Sequence, residues 1–419
     1  MATTSPDRIL SLDVIRGIAV MGIFSVNVVG MAMIEQAYFY PPGFGFEGMG
    51  DRIMWAANFI LVDGKFRSLF SILFGASMVL VIERGIAAGK EGWQVHYPRM
   101  IVLLLFGLAH FYLLFWGDIL ANYALVGMVA FLFWRLPSRT LLFAAIVSLS
   151  LMYVPAISGG LQEVARFESM AAPDATPEQR AELERELNQM TPSAEVLAED
   201  EAAHASVPAH VRATLEGQAW RPFTSVLGYG LETLGLMLIG MAGYKSGFLT
   251  GSWSRRRYAQ IAALLVGASL ALYGYAAWRI LRADFDPFTY YPWNQIYVEA
   301  MHPFSALGYA ALVILLLGRG GAVADRFAAV GRAAFTNYLG ATVIGTLLFF
   351  GTFGGLYGEL SRGECWLIVP PVWALMLLWS KWWLDRFRYG PFEWAWRSLS
   401  RWKWEPMRKA APTEVPATA

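Results

Sequence analysis

A histidine and a carboxylate stand close together in one long apolar stretch of the chain. His110 and Asp118 interrupt residues 100–134, which are otherwise almost entirely Leu, Phe, Val and Ala. Ionisable groups are costly at bilayer depth and are usually retained there for a pathway or for chemistry. A carboxylate that orients one ring nitrogen lets a histidine act as a general base, so a catalytic pair is predicted. The alternatives are a His110 bonded to a neighbouring carbonyl and an Asp118 that caps the following helix.

The composition indicates an integral membrane protein. Hydrophobic residues make up 56% of the chain and charged residues 16%, and the mean hydropathy is +0.43. A net charge of +1, without basic clusters among aromatics, argues against a nucleic-acid partner. The single cysteine, Cys365, excludes an intramolecular disulfide, and no His or Cys cluster has metal-ligand spacing. We therefore expect the lipid bilayer as a partner and no bound metal.

Runs of apolar residues predict an all-α, polytopic membrane helix bundle. A spanning helix needs about 20 mostly apolar residues. Ten candidate spans lie at 14–34, 66–83, 99–116, 118–136, 139–157, 223–244, 258–281, 303–318, 334–352 and 364–384. Residues 53–62 are too short to cross and are predicted to form an interfacial or re-entrant helix. The predicted organisation is an N-terminal bundle at 1–157, a polar loop at 158–222, a C-terminal bundle at 223–390 and a basic, aromatic cytoplasmic tail at 391–419.

The distribution of Lys and Arg predicts that both termini are cytoplasmic. Connections on the inner side of this arrangement are rich in Lys and Arg, including Arg319. The short outer loops hold only Arg52 and Arg362. This alternation follows the positive-inside rule at every connection of a ten-span chain.

The long connection at 158–222 is predicted to be a helical, extracytoplasmic insertion. Residues 163–216 contain twelve acids against four arginines, and Thr176 followed by Pro177 is typical of a helix start. It is either a solvated helical hairpin that covers the outer face or a lid that controls substrate access. His204 and His210 are expected to be exposed and inert.

The predicted orientation places a set of polar side chains in the outer half of the membrane. Together with His110 and Asp118, this layer contains Asn27, Asp63, Lys65, Arg67, Glu232 and His302. Asn27 is predicted to be catalytic and the other five to bind substrate. The alternatives are helix packing for Asn27, snorkelling of the cluster at 63–67, and an interfacial His302. Glu232 is expected to be either paired or protonated.

A second polar set lies at the inner ends of the predicted spans. Asp13 and Arg16 are spaced to pair on one helix face, and Arg332 precedes the ninth span. These arginines either anchor the chain at the cytoplasmic interface or form an anion site for the phosphates of a nucleotide-bearing donor.

Five segments together resemble the YeiB-like family of bacterial inner-membrane proteins. They are RILSLDVIRG at 8–17 with Asn27, DGKFRSLFSILFG at 63–75, GDIL at 117–120, GR at 331–332 with TNY at 336–338, and GPFEW at 390–394. The resemblance extends from residue 8 to about residue 400. It implies a multi-pass protein of the bacterial inner membrane.

Wider relatives of that family include heparan-alpha-glucosaminide N-acetyltransferase and bacterial membrane acyltransferases. The resemblance implies a cytosolic acyl-CoA or acetyl-CoA co-substrate, a small-molecule or glycan acceptor on the far side, and a catalytic histidine between them. Arg16, Arg332 and Asn337 would bind the donor, and Asn27 or Lys65 would stabilise the oxyanion.

The sequence departs from the heparan enzyme at one position that matters. That enzyme has a histidine shortly before the segment aligned with 63–75, whereas residues 50–62 here contain none. Either His110 supplies the base from another helix or this branch does different chemistry. A carrier for a metabolite, lipid or ion and a lipid-binding scaffold are the alternative functions, and a homodimer is possible in each case.

Overall fold

The computed structural model describes residues 9–318 and 320–409. Arg8 of the opening motif and Arg319 of the inner connections lie outside these ranges. The described chain folds into α-helices with short 3₁₀ and π segments, which confirms the all-α prediction.

The helices are numbered in chain order. The first seven are α1 (Leu10–Ala32), α2 (Glu35–Phe39), α3 (Met49–Leu61), α4 (Lys65–Ala87), α5 (Gly92–Leu113), α6 (Leu120–Ala130) and α7 (Ser138–Met170). The next six are α8 (Pro177–Gln189), α9 (Ala194–His204), α10 (Val207–Gln218), α11 (Arg221–Lys245), α12 (Arg255–Arg282) and α13 (Pro287–Tyr291). The last six are α14 (His302–Leu317), α15 (Ala322–Arg332), α16 (Ala334–Phe349), α17 (Arg362–Cys365), α18 (Val369–Arg386) and α19 (Pro391–Arg401).

Helices of membrane-spanning length recur through the described chain. Eight helical segments there are long and apolar enough to cross a bilayer, and two shorter apolar helices lie at Leu120–Phe133 and Ala334–Phe349. Each of the ten predicted spans overlaps one of these ten segments. The molecule is therefore a multi-pass membrane protein by helix length and composition.

The predicted short helix before span 2 is present as α3, which is 13 residues long. The chain breaks at residues 62–64 and continues into α4. Gly64 has a φ of 68°, a left-handed conformation that favours glycine. A Cβ at this position would also collide with the imidazole of His302. Any larger residue in place of Gly64 would therefore be strained, so the sequence itself determines the position of the break.

The polar connection is more helical and more firmly attached than a simple hairpin. Helix α7 continues to Met170, beyond the predicted end of span 5 at residue 157, and α8, α9 and α10 follow. The Thr176 hydroxyl accepts a hydrogen bond from the Gln179 amide at 3.3 Å, which confirms the predicted helix start. Arg166 at the end of α7 forms ion pairs with Glu182 and Glu186 of α8, which fix α8 to α7.

Close helix contacts connect the two sequence halves at glycines. A Cβ at Gly331 of α15 would collide with the backbone carbonyl of Asp13 on α1, and one at Gly240 of α11 would collide with that of Ile72 on α4. Small residues allow backbones to approach closely, which supplies packing where lipid offers no hydrophobic driving force. These contacts position the opening motif of α1 against the end of α15.

Candidate functional site

The predicted His110–Asp118 pair is formed and is buried. The Nδ1 atom of His110 lies 2.8 Å from Oδ1 of Asp118, and each side chain is 1% exposed. The other carboxylate oxygen accepts a hydrogen bond from the Ala121 amide at 2.8 Å. Asp118 therefore both orients the histidine and caps α6, so the two readings of this residue are compatible. Burial of the carboxylate costs desolvation free energy, which these two hydrogen bonds offset.

Two residues of α16 complete the surroundings of His110. The Nε2 atom of His110 lies 3.0 Å from the hydroxyl oxygen of Thr342. The ring centroids of Tyr338 and His110 are 5.2 Å apart. Sequence reasoning missed Thr342 entirely, because a threonine in an apolar helix carries no distinguishing signal. Tyr338 lies in the quoted TNY segment, which was the only indication of its importance.

A cavity of about 320 Å³ opens near the inner ends of the predicted spans. Its wall contains both predicted donor arginines, Arg16 and Arg332, and apolar residues that include Phe70 and Leu103. Four more arginines and two carboxylates also line it, namely Arg84, Arg99, Arg388, Arg397, Asp13 and Glu393. The excess of positive charge beside an apolar surface suits an amphipathic anion.

The predicted pairing of Asp13 and Arg16 on one helix face is confirmed. An Nη of Arg16 lies 3.1 Å from Oδ1 of Asp13, and the other donates to the Ser77 hydroxyl at 2.6 Å. Ser77 lies on α4, so this contact also attaches α1 to α4. The charge of Arg16 is therefore largely balanced within the protein.

Tyr338 separates the arginine-lined cavity from the buried histidine. Tyr338 forms part of the cavity wall, as does Tyr123, whereas His110 does not. The Tyr338 hydroxyl points to the Gly117 carbonyl at 3.5 Å, beside Asp118. The cavity thus ends one side chain away from His110 and does not reach it.

Asn337, predicted to bind the donor, lies elsewhere. Its amide nitrogen donates to the Val330 carbonyl at 3.1 Å and the Ser380 hydroxyl at 3.0 Å, and its oxygen accepts from the Trp379 indole at 2.8 Å. Asn337 is not part of the cavity wall. The structure gives it a place between α15, α16 and α18, and a role toward a donor stays a prediction.

Glu232 and Arg67, both in the predicted outer layer, pair with each other. An Nη of Arg67 lies 2.8 Å and 3.0 Å from the two carboxylate oxygens, and the Tyr153 hydroxyl donates to Glu232 at 3.0 Å. Of the two expected states of Glu232, paired or protonated, the structure shows the paired one, with Arg67 as the partner. The Arg67 side chain is 34% exposed against 5% for that of Glu232, so the pair retains an accessible cationic face.

Lys65 does not snorkel to an interface, so that alternative is wrong for this residue. It is fully buried, and its ammonium donates to the carbonyls of Phe59 at 2.8 Å and Asp63 at 3.2 Å. The Nζ atom also lies 3.2 Å from the centroid of the Tyr273 ring. Backbone carbonyls at the α3–α4 break therefore satisfy the lysine, together with a cation–π contact.

Two further members of the outer layer, His302 and Asp63, lie at the same break. His302 contacts Gly64 and stacks on Tyr273 with ring centroids 6.0 Å apart. Asp63 is exposed and Asn27 is half-buried. Burial and the nearby Asp63 carboxylate raise the pKa of Tyr38, while Arg67 and Arg362 oppose this rise, so Asp63 and Arg67 act on a common neighbour. Within the described chain, no hydrogen bond or ring contact joins Asn27 to His110.

The expectation that the histidines of the insertion are exposed is wrong. His210 is 5% exposed, and the ring of His204 stacks on that of Tyr357 with centroids 3.8 Å apart. Both histidines pack on Phe350, in the loop that follows α16. The apolar side chains of that loop lie far away in sequence, so the histidine positions alone carried no sign of the contact.

This docked insertion changes the titration of its histidines. Burial lowers the pKa of His210 to about 4, and the neighbouring His204 adds to this effect. Burial also lowers the pKa of His204, against the hydrogen bond from its ring to the Asp200 carbonyl. Both rings are therefore favoured in the neutral form while α9 and α10 are docked.

Comparison with known proteins supports the resemblance seen in the motifs. The chain is 33% identical to "Uncharacterized protein YeiB" of Escherichia coli K12, over 94% of this chain and 96% of the relative. It belongs to the DUF418 family. Residues 243–403 match the family model described as "Protein of unknown function (DUF418)".

A second relative, "Uncharacterized protein YxaH" of Bacillus subtilis 168, is 29% identical over 97% of this chain and 98% of its own length. No solved structure matches the chain. The relatives carry no assigned activity in their descriptions, so membership in the DUF418 family supports the architecture and leaves the chemistry to be argued from the site.

Proposed function

We propose that this DUF418 protein is an inner-membrane acyltransferase with ten spans and both termini in the cytoplasm. It moves an acyl group, such as acetyl, from a cytosolic CoA thioester to a small-molecule or glycan acceptor on the opposite side. The Arg/Lys distribution supports the orientation, because the charged residues of the cavity wall all come from predicted inner segments or the C-terminal tail.

The observation that carries the proposal is the position of Tyr338. An arginine-lined cavity meets one side of this residue, and the His110–Asp118 pair lies on its other side. A transfer between two compartments needs a donor site and a base that are close but separated from each other. The cavity and the histidine have this arrangement along a single helix, α16.

The proposed chemistry follows from the hydrogen bond between His110 and Asp118. With its Nδ1–H donated to Asp118, the Nε2 atom of His110 is basic and can accept the proton of an acceptor hydroxyl or amine. The freed nucleophile adds to the thioester carbonyl, and the tetrahedral intermediate collapses to the acylated acceptor and the CoA thiolate. His110 then returns its proton to that thiolate. Thr342 occupies the position of the acceptor in this structure and would have to yield to it.

The outer polar layer supplies candidates for the acceptor and the oxyanion. Lys65 is held by two carbonyls, so Asn27 is the more available donor for the developing negative charge. The accessible face of Arg67, with Glu232, Asp63 and His302, is proposed to bind the acceptor. These roles rest on position and chemical type.

The test is CoA release from acetyl-CoA by purified protein, with and without a pool of membrane-derived acceptors. His110→Ala is expected to abolish release, and Asp118→Asn to reduce it by roughly 10²-fold or more because the ring loses its orienting charge. Ser269→Ala is the matched control. It removes a buried hydroxyl of α12 that accepts a hydrogen bond from Ser305 of α14, away from His110. Release that persists at the wild-type rate in His110→Ala would refute the proposal.

A carrier is the second candidate, favoured by the helix break at residues 62–64 near the Arg67–Glu232 ion pair. Carriers often bind solute at such interrupted helices. In a carrier, a thiol reagent should reach Asn27→Cys from the inner side in one state and from the outer side in the other, and added solute should shift the balance between them. In an acyltransferase, the reagent should reach this cysteine from one side only, with or without solute.

A further inference from the structure

Two arginines of the cavity wall have surroundings unlike those of Arg16. Arg99 of α5 is 9% exposed, and the described residues place no carboxylate within ion-pair distance of it. Its guanidinium lies 4.5 Å from the ring centroid of Trp396. Arg397 of α19 lies 4.6 Å from the centroid of Tyr389. Aromatic faces therefore contact both cations, and both open into the cavity.

The carboxylates in the neighbourhood are committed to other partners. Asp13 pairs with Arg16, and Glu405 pairs with Arg401 at 2.8 Å. Glu393 accepts hydrogen bonds from the Phe335 and Thr336 amides at 2.7 and 3.1 Å. Glu393 and Glu405 therefore act on Arg397 only from a distance, and neither Arg99 nor Arg397 forms an ion pair with a carboxylate of the described chain.

Placing two such cations together is unfavourable without an anion. Arg397 acts on Arg99 as a like charge. Burial lowers the pKa of Arg397, and the nearby Arg401 adds to the effect, while Tyr389 and, more weakly, the Glu393 and Glu405 carboxylates oppose it. A cation–π contact recovers less free energy than the burial of an uncompensated charge costs. A phosphate group with its several acceptor oxygens would satisfy both guanidinium groups.

We propose that Arg99 and Arg397 bind a phosphate group of an anionic ligand that enters the cavity from its inner end. The planar faces of Trp396 and Tyr389 form the sides of this site. In the context of the proposed function, on which this part rests, the ligand is the phosphate end of the donor. Binding itself does not depend on transfer, and the headgroup of an anionic phospholipid offers the same chemistry.

The experiment measures thermal unfolding of the full-length protein in phosphatidylcholine nanodiscs, followed by the fluorescence of its 17 tryptophans. Inorganic pyrophosphate, acetyl-CoA and phosphatidic acid are the three probes. Pyrophosphate and acetyl-CoA are expected to raise the unfolding temperature of the wild type. Arg99→Gln and Arg397→Gln should each weaken this binding by roughly tenfold or more. Arg282→Gln, an arginine at the far end of α12, should not.

The outcomes separate the binding site from the function. No stabilisation by any probe, or equal stabilisation of wild type and both glutamine variants, overturns the site. Stabilisation by phosphatidic acid alone, lost in Arg99→Gln, supports the site and makes it a lipid site, which overturns the donor assignment. Pyrophosphate binding that depends on Arg99, in a protein without CoA release, supports the site and refutes only the acyltransferase. Unfolding temperatures without ligand report whether a variant folds.

Discussion

Glu393 of α19 accepts a hydrogen bond from the hydroxyl of Thr336 on α16, with an oxygen–oxygen distance of 2.5 Å. The same carboxylate accepts the first amides of α16, so it acts as a cap supplied from a distant helix. It thereby joins two of the family segments, 336–338 and 390–394. Because α16 also carries Tyr338 and Thr342, the C-terminal helix fixes the wall between the cavity and His110.

Removal of this cap should destabilise the protein. Glu393→Ala leaves three donors, two of them buried, without this acceptor and should cost about 2–3 kcal/mol. The measurement is thermal unfolding in detergent, followed by a thiol-reactive dye at the fully buried Cys365. Glu359→Ala, at an exposed site in the loop after α16, serves as the control. An unfolding temperature of Glu393→Ala equal to that of the control would contradict the capping role.

Opening the wall should make the buried histidine reactive. In Tyr338→Ala, diethyl pyrocarbonate is expected to reach His110 from the cavity. The same substitution should lower the free energy of unfolding by roughly 3 kcal/mol. Tyr338→Phe preserves the ring and should leave His110 protected. Peptide mapping by mass spectrometry reads the modification at this histidine. Similar rates in the two variants would show that Tyr338 is not the barrier.

Acidification should release α9 and α10 from the bundle. The pKa of His210 is lowered to about 4 in the docked state, so docking is strongest above the ordinary value of 6.5 and weakens as the pH falls toward 4. Each pH unit in this window costs up to about 1.4 kcal/mol per histidine. The charged and titratable groups packed nearby are His204, Asp200, Tyr357, Glu35 and Arg221.

Hydrogen exchange of residues 194–218, corrected for intrinsic rates, tests this release. Protection in the wild type should fall between pH 7 and pH 5. His210→Phe keeps the apolar contact with Phe350 and should flatten the dependence on pH. If protection falls with pH in His210→Phe as steeply as in the wild type, another group causes the release.

The helix break should tolerate no side chain at Gly64. Gly64→Ala must adopt a positive φ, at about 1–2 kcal/mol, and must also displace His302. We expect a lower unfolding temperature and loss of the Lys65 contacts. Gly267→Ala, in open space on α12, is the matched substitution. Equal stability of the two variants would mean that the break is not strained.

The proposed orientation predicts which introduced cysteines a thiol reagent reaches from outside the cell and which only from the cytoplasm. In a Cys365→Ala background, Glu184→Cys should react with an impermeant maleimide in intact cells. Arg256→Cys should react only after permeabilisation. The reverse pattern would invert the topology and place the arginine-lined cavity outside.

The sequence predicted the helices well because apolar length is a local property. The pairing of His110 with Asp118 and that of Asp13 with Arg16 were also predictable, since each pair is close in sequence. The pairing of Arg67 with Glu232 could be placed only by depth, because 165 residues separate them. Arg99 and Arg397 escaped notice because positive-inside anchoring explains any arginine at an inner helix end. Their meaning appears only when the fold closes a cavity around them.

The central claim is transfer across the membrane through His110, and oriented proteoliposomes test it most directly. Acetyl-CoA with a labelled acetyl group is supplied only on the side of the arginine-lined cavity, and the acceptor only on the opposite side. Labelled acceptor is expected on that opposite side with wild-type protein and Ser269→Ala, and none with His110→Ala. Labelled acceptor formed equally by His110→Ala, or only when donor and acceptor share one compartment, would contradict it.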